Sequence, residues 1–166
     1  MMTVRLKNLS VNYGSLKALN NINLEIQSGS TGLLGINGAG KTSLLKAILG
    51  LVNYDAELAR VFDIDILENG KSIRQLIGYM PENDCLIPGF NGIKMVQYSG
   101  ELCGMSRVDA MQRAHEVLFY VGLEEARYRN VETYSSGMKQ RIKLAQAIVH
   151  DPELLFLDEQ IGRAHV

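Results

Sequence analysis

Apolar and polar residues alternate along two stretches near the start of the chain, residues 5–13 (RLKNLSVNY) and residues 21–26 (NINLEI). Alternation with a period of two is typical of a strand that buries one face, and it favours an antiparallel sheet here. Shorter apolar runs predict further strands at residues 58–62 and 77–80. Residues 31–35 (TGLLG) are predicted to form a short buried strand that leads into a glycine-rich loop.

The spacing of apolar residues becomes helical in three segments, residues 41–51, 92–122 and 136–149, and within the second segment it is clearest at residues 107–121. The second segment carries one continuous apolar stripe, which comprises Val108, Met111, Ala114, Val117, Leu118 and Val121. A stripe of this kind predicts a helix that packs one face on a core. Because strands alternate with helices, we expect an α/β fold with a mainly parallel sheet, an N-terminal antiparallel β subdomain and a helical insert at about residues 83–149.

Composition narrows the class of protein without naming a function. A length of 166 residues predicts a single domain, and 46% hydrophobic with 21% charged residues describes a globular chain. The net charge of −1 gives no overall basic field, so no nucleic-acid partner is expected. The apolar runs are too short to span a bilayer, and the first residues lack the apolar segment of a signal peptide. The chain is therefore predicted to be cytoplasmic.

Residues 35–42 read GINGAGKT and match the phosphate-binding (Walker A) pattern G-x-x-x-x-G-K-[ST] between a predicted strand and a predicted helix. The helix N-terminus and the backbone N–H groups of such a loop surround an anion. Lys41 is predicted to contact the β- and γ-phosphates, and the Thr42 hydroxyl is predicted to bind Mg²⁺. The remaining predicted phosphate-binding residues of the loop are Gly35, Asn37, Gly38, Ala39 and Gly40.

Two acidic residues, Asp158 and Glu159, follow the apolar run at residues 154–157. Open α/β sheets bind ligands at the carboxyl ends of their strands. Together with an upstream phosphate loop, this pattern predicts that Asp158 holds Mg²⁺ and that Glu159 acts as the general base for the attacking water.

A third motif, YSSGMKQR at residues 134–141, precedes the acidic strand. With GINGAGKT before it and LLFLDE after it, the chain resembles the ATP-binding subunit of an ABC transporter over residues 4–159. The form Y-S-x-G-M-K-Q-R is similar to that of ABC-2-type exporters. The resemblance implies a P-loop NTPase fold, ATP and Mg²⁺ as ligands, and ATP hydrolysis that drives transport, with export as the expected direction.

The resemblance also implies roles for residues outside the phosphate loop. The family signature LSGGQ corresponds here to YSSGM, which departs from it at Ser136 and Met138, and Ser135, Ser136 and Gly137 are expected to bind the ATP of the opposite subunit. Tyr13 corresponds to the aromatic residue that stacks on adenine, and Ser43 adds a hydroxyl near the phosphates. Glu82 stands where the family usually has glutamine, and it is expected to approach Mg²⁺ and take part in catalysis.

The family implies two protein partners, a transmembrane permease subunit and a second nucleotide-binding subunit, either identical or different. The expected location is therefore the inner face of the cell membrane. The alternative is an ABC ATPase that acts on ribosomes or DNA instead of on transport. Lys41 and Ser135 are only 94 positions apart and no heptad tract lies between them, which disfavours the DNA-maintenance type with its long coiled coil.

The last seven residues, QIGRAHV, do not continue the family pattern. They can be back-translated as CAG ATC GGA AGA GCA CAC GTC, which contains a common sequencing-adapter string from its second base. We therefore expect residues 1–159 to be one partial ATP-binding domain and residues 160–166 to be a non-native tail. The segment that follows the acidic pair in the family, with its D-loop and histidine switch, is absent, so the fragment itself is expected to be inactive.

Overall fold

The structure is a computed structural model that describes residues 2–158. The chain divides between Arg74 and Gln75 into two compact units, called here the N-terminal and C-terminal units. The predicted α/β class with an N-terminal antiparallel β subdomain is confirmed: an antiparallel sheet occupies the N-terminal unit, and a parallel strand pair with helices occupies the C-terminal unit.

The N-terminal unit is built on a four-stranded antiparallel sheet in the order β2-β1-β3-β4. The strands are β1 (Met2–Tyr13), β2 (Leu16–Gln27), β3 (Leu58–Val61) and β4 (Ile64–Asp65). The predicted strands at residues 5–13, 21–26 and 58–62 are thus confirmed, and the first two are longer than the pattern indicated. β1 and β2 form a hairpin whose turn contains Gly14 in the left-handed region, with a φ of 60°.

An irregularity in β1 keeps its apolar residues on one face of the sheet. Val4 and Leu6, at even positions, are buried in the first half of the strand, and Leu9 and Val11, at odd positions, are buried in the second half. The inward-facing positions therefore shift by one residue between residues 6 and 9. The register with β2 shifts at the same place, and Asn8 has a φ of 52°. The extra residue of this bulge turns the strand so that both halves contribute to one core.

The segment that precedes the first helix differs from the prediction. Residues 31–35 form no strand and are exposed, whereas a buried strand was predicted. A strand needs a neighbour that pairs with its backbone N–H and C=O groups, and no strand in residues 2–158 pairs with this segment. Helix α1 (Lys41–Ile48) begins where predicted and ends three residues early, before Gly50 with its φ of 65°.

Helix α2 (Ile66–Leu76) follows β4 and was not predicted. The Asp65 carboxylate accepts hydrogen bonds from the N–H groups of Leu67 and Glu68, at 3.0 and 3.3 Å. Asp65 therefore satisfies backbone donors that would have no partner inside the helix. The helix contains a kink at Asn69, where the backbone leaves the helical region.

The C-terminal unit contains a parallel pair of strands, β5 (Ile77–Met80) and β6 (Leu154–Leu157), both with the predicted bounds. Tyr79 pairs with Phe156, and Met80 pairs with Leu157. Beyond the last pair, the Asp158 N–H donates to the Met80 carbonyl at 3.0 Å. The two strands therefore end together, with Asp158 beside the end of β5.

Three helices pack around the apolar core of this unit: α3 (Gly92–Leu102), α4 (Arg107–Tyr120) and α5 (Ser136–Ile148). Asn91, Ser106 and Ser135 cap their N-termini through side-chain oxygens that accept N–H groups of the first turn. Two short 3₁₀ segments, Glu124–Tyr128 and Val131–Thr133, connect α4 to α5.

The buried stripe of α4 is shorter than predicted. Val108 is 76% exposed and Met111 is 37% exposed, whereas Ala114, Val117 and Leu118 are buried as predicted. Ala110 is also buried and occupies the first inward position. Val108, in the first turn, therefore lies on the surface. The apolar period of a sequence shows which face of a helix is apolar, but it does not show how much of that face other elements cover.

Candidate functional site

The glycine-rich loop before α1 has a backbone that requires glycine at two positions. Gly38 and Gly40 have φ values of 82° and 91°, in the region that side chains with a Cβ rarely adopt. At Gly40 the space is closed as well, since a Cβ there would lie 2.7 Å from Leu19 Cδ2 and 2.9 Å from the Ala18 carbonyl oxygen. Residues 35–39 are all exposed, so the backbone of the loop is accessible to a ligand.

The start of α1 carries positive charge, and no acidic side chain in its first turn neutralises it. Helix α1 begins at Lys41, its N-cap Gly40 makes no side-chain capping bond, and its first turn contains no acidic residue. The Lys41 ammonium donates to the carbonyl oxygens of Gly35 (2.8 Å) and Ile36 (3.0 Å), which holds it over the loop. The helix N-terminus, the lysine and the loop form an arrangement that suits a phosphate.

The other predicted ligand residues of the N-terminal unit lie on α1 and at the end of β1. Thr42 and Ser43 occupy the first turn of α1 and are half-buried. Tyr13 ends β1, is 43% exposed, and lines an open cavity of about 380 Å³ together with Asn12 and residues 50–53. An exposed aromatic ring at the edge of such a cavity is available for stacking on a planar base.

In the C-terminal unit, the carboxylate of Asp158 lies at the carboxyl end of β6 and is 4% exposed. The Tyr79 hydroxyl on β5 donates to Asp158 Oδ2 at 3.1 Å. Burial, and then the charge of Asp158, raise the pKa of Tyr79 to about 12. The hydroxyl is therefore protonated at neutral pH and acts as the donor, which fixes the direction of one carboxylate oxygen.

Replacing Tyr79 with phenylalanine is expected to lower the free energy of unfolding by about 1 kcal/mol, because Asp158 loses a hydrogen bond in a partly buried place. The ring, which packs in β5, is retained. Urea denaturation at neutral pH measures the effect as a lower midpoint with an unchanged slope. Tyr120, which is 79% exposed, supplies the matched control in Tyr120→Phe. Equal midpoints for wild type and Tyr79→Phe would show that the bond contributes nothing.

Glu82 lies two residues beyond the end of β5 and is exposed. Its main-chain carbonyl accepts a hydrogen bond from the Lys143 ammonium on α5, at 2.8 Å. Since β5 and β6 end together, Glu82 and Asp158 both belong to segments that leave the same edge of the parallel pair.

The motif at residues 134–141 forms the start of α5. The Ser135 hydroxyl caps this helix by accepting the Met138 N–H at 3.3 Å, while Ser136 and Gly137 lie exposed in the first turn. Tyr134 is buried, and its hydroxyl donates to the Ala126 carbonyl at 2.7 Å. The tyrosine therefore anchors the loop, and the small polar residues after it present N–H groups at a helix N-terminus.

Glu159, the predicted general base, and the predicted tail at residues 160–166 lie outside the described residues. Two residues that sequence reasoning missed are Tyr79 and Lys143. The pairing of Tyr79 with the strand before Asp158 requires the β5–β6 register, which no local pattern shows. For Lys143 the sequence contains only a weak signal: it is a charged residue next to Ile142, which belongs to the apolar stripe of α5, and it lies one helical turn after Lys139.

Comparison with known proteins gives a consistent result. A family model described as ABC transporter matches residues 19–162. The chain is 37% identical over 154 residues to the linearmycin resistance ATP-binding protein LnrL of Bacillus subtilis (strain 168), a match that covers 92% of this chain and 50% of LnrL. It is 36% identical over 160 residues to the bacitracin transport ATP-binding protein BcrA of Enterococcus faecalis, covering 96% of this chain and 51% of BcrA.

The fold is also found among solved structures. A structure described as the ATP-binding subunit of an ABC transporter superposes with a TM-score of 0.79 at 23% identity, covering 92% of this chain and 64% of that one. The chain spans about half the length of the curated relatives it matches. Within residues 2–158, no helix combines the length and the hydrophobicity that a membrane span needs. The match of the family model to residues 19–162 shows that this chain belongs to the ABC transporter family.

Proposed function

We propose that this chain is the ATP-binding part of an ABC exporter, and that the complete protein binds and hydrolyses Mg-ATP to drive transport through a separate membrane subunit. The observation that carries the proposal is the phosphate loop: a glycine-dependent backbone, the uncapped start of α1, and Lys41 held over the loop. The relatives named for linearmycin resistance and bacitracin transport favour export as the direction.

In this proposal, the N-terminal unit binds the nucleotide. The ring of Tyr13 stacks on adenine, and the Lys41 ammonium moves from its two carbonyl partners to the β- and γ-phosphates. Thr42 binds the metal ion, and Ser43 donates to a phosphate oxygen. The backbone N–H groups of the loop surround the phosphates, and the residues concerned are Gly35, Asn37, Gly38, Ala39 and Gly40.

The C-terminal unit supplies the acidic groups and the second anion-binding loop. Asp158 and Glu82 are proposed as ligands of Mg²⁺, which when bound neutralises charge on the phosphates. Carboxylate oxygens are the ligand type that Mg²⁺ prefers, which fits this donor set. Glu159 takes the proton of the attacking water. Ser135, Ser136 and Gly137 bind the ATP held by the second nucleotide-binding subunit, through the start of α5.

Two partners follow from the same proposal: a second ATP-binding subunit, which completes each site, and a membrane permease. ATP contacts both subunits only when they close on each other, so its binding favours the closed state. The protein therefore works at the inner face of the membrane, associated with its permease.

The test separates binding from hydrolysis in the full-length protein reconstituted with its permease. Glu159→Gln removes the general base and keeps the size of the side chain. We expect ATP turnover to fall by about 10²–10⁴-fold while the affinity for ATP is retained. Phosphate release and nucleotide binding measure the two quantities.

Glu153→Gln is the matched control, since Glu153 is an exposed carboxylate just before β6 and is expected to have no effect. Wild-type turnover in the Glu159→Gln variant would contradict the assigned role. A wild-type protein that binds no Mg-ATP would contradict the proposed function itself.

A further inference from the structure

A buried ammonium group lies on α5, where the apolar stripe would favour a hydrocarbon side chain. Lys143 is 2% exposed and is flanked by Ile142 and Ala145, which are fully buried. Removing a charged group from water is costly unless partners compensate it. The position therefore requires a specific set of acceptors for the Lys143 ammonium.

The acceptors all come from the short segment after β5. The Lys143 ammonium donates to the Glu82 carbonyl oxygen at 2.8 Å and lies 3.8 Å from Asp84 Oδ1. Lys139, one helical turn earlier, lies 3.4 Å from Asp84 Oδ2, and both of those side chains are about one-third exposed or more. The Asp84 carboxylate is therefore partly exposed to water and is paired with Lys139 as well as with Lys143. The Glu82 carbonyl, by contrast, accepts its hydrogen bond from the buried Lys143.

This contact joins two of the proposed functional segments through one rigid element. Ser135 caps α5, and Lys143 follows eight residues later, which is about 12 Å along a helix. At the other end of the contact, Glu82 follows the strand that pairs with the one leading to Asp158. A hydrogen bond to the Glu82 carbonyl limits rotation of the chain at that residue, and so limits where its side chain can reach.

We propose that Lys143 is a positioning residue that fixes the main chain of Glu82 so that its carboxylate meets the metal ion of the bound nucleotide. The inference rests on the proposed function, in which Glu82 is a metal ligand. A role in packing alone would not require a charge, since replacement of buried ionic groups by apolar ones of similar size is often neutral or stabilising.

The substitution Lys143→Met in the full-length protein tests the inference, because methionine keeps most of the volume and removes the ammonium. We expect the Kd for Mg²⁺ of the ATP-loaded protein, measured by isothermal titration, and the apparent KM for Mg²⁺ in ATP turnover both to rise about tenfold, the lower end of the effect usually seen when a residue supporting a metal ligand is changed. The apparent KM for ATP at saturating Mg²⁺ is expected to stay within about twofold of wild type, since Lys143 belongs to the C-terminal unit and the phosphate loop to the N-terminal unit.

A double-mutant cycle with Glu82→Ala distinguishes positioning from a general loss of structure. If Lys143 acts through the Glu82 side chain, Lys143→Met adds nothing to the Mg²⁺ dependence once that side chain is absent. Lys139→Met is the matched control on the same helix and the same Asp84, and it is expected to leave the Mg²⁺ dependence unchanged. Lys143→Leu, which also removes the donor, is the second variant if methionine prevents folding, and the same rise is expected.

A wild-type protein with Mg²⁺-dependent turnover and a Lys143→Met variant with the same Mg²⁺ dependence would overturn this inference and leave the proposed function intact. The inference would also be overturned if Lys143→Met weakened the Mg²⁺ dependence by the same factor in the Glu82→Ala background as in wild type, because the two residues would then act independently. A wild-type protein without Mg²⁺-dependent turnover would overturn both proposals.

Discussion

The Lys41→Ala variant of the full-length protein is expected to bind ATP about 10–150-fold more weakly than wild type. The Lys41 ammonium is the cation held over the loop, at 2.8 and 3.0 Å from two of its carbonyl oxygens. A hydrogen bond that involves a charged group contributes about 1.5–3 kcal/mol, which corresponds to that range of affinity. Isothermal titration with ATP in the presence of Mg²⁺ measures it.

Turnover is expected to fall further than affinity in this variant, because negative charge on the transferred phosphoryl group must be stabilised in the transition state. Residues 35–39 are exposed, so the loss of two contacts there has little effect on the free energy of unfolding. Lys46→Ala is the matched control, since Lys46 lies in the last turn of the same helix. Equal affinities of wild type and Lys41→Ala would contradict the assignment of the loop.

The Gly78→Ala variant is expected to lose about 3 kcal/mol or more of its free energy of unfolding. Gly78 lies inside β5, and a Cβ at this position would overlap the carbonyl oxygen of Ala147 on α5. It would also lie 2.9 Å from Leu155 Cδ1 and from Pro152 Cγ. Overpacking in a core costs about 1–3 kcal/mol, and a clash with backbone cannot be relieved by a change of rotamer.

Urea denaturation of the two full-length proteins measures the loss as a lower midpoint. Gly137→Ala is the control for stability alone, because within residues 2–158 no atom outside its own helix turn lies within 4 Å of the Cβ position, and alanine favours a helix more than glycine does. Its stability is expected to equal or exceed that of wild type. A Gly78→Ala variant as stable as wild type would show that α5 and β5 can separate at no cost, contrary to the packing described.

Much of the candidate site was predictable because its signals are local. The motif at residues 35–42 contains its own chemistry, since the glycines, Lys41 and the start of α1 are adjacent in sequence. The same holds for Ser135, which caps the helix that it precedes. The structure places the phosphate loop before α1 and Ser135 at the start of α5. The roles of these residues in binding ATP, and the role of Glu159 in catalysis, stay predictions.

The sequence by itself determined the elements whose pattern repeats over a few residues: the bounds of β5 and β6, most of α4 and α5, and the phosphate loop. Only the tertiary structure decided which elements pair and which residues meet. The bulge at Asn8, the contact of Tyr79 with Asp158 and the burial of Lys143 against Glu82 depend on partners 13 to 79 positions away. Local periodicity reports which face of an element is apolar, but pairing and the compensation of a buried charge depend on segments that are distant in sequence.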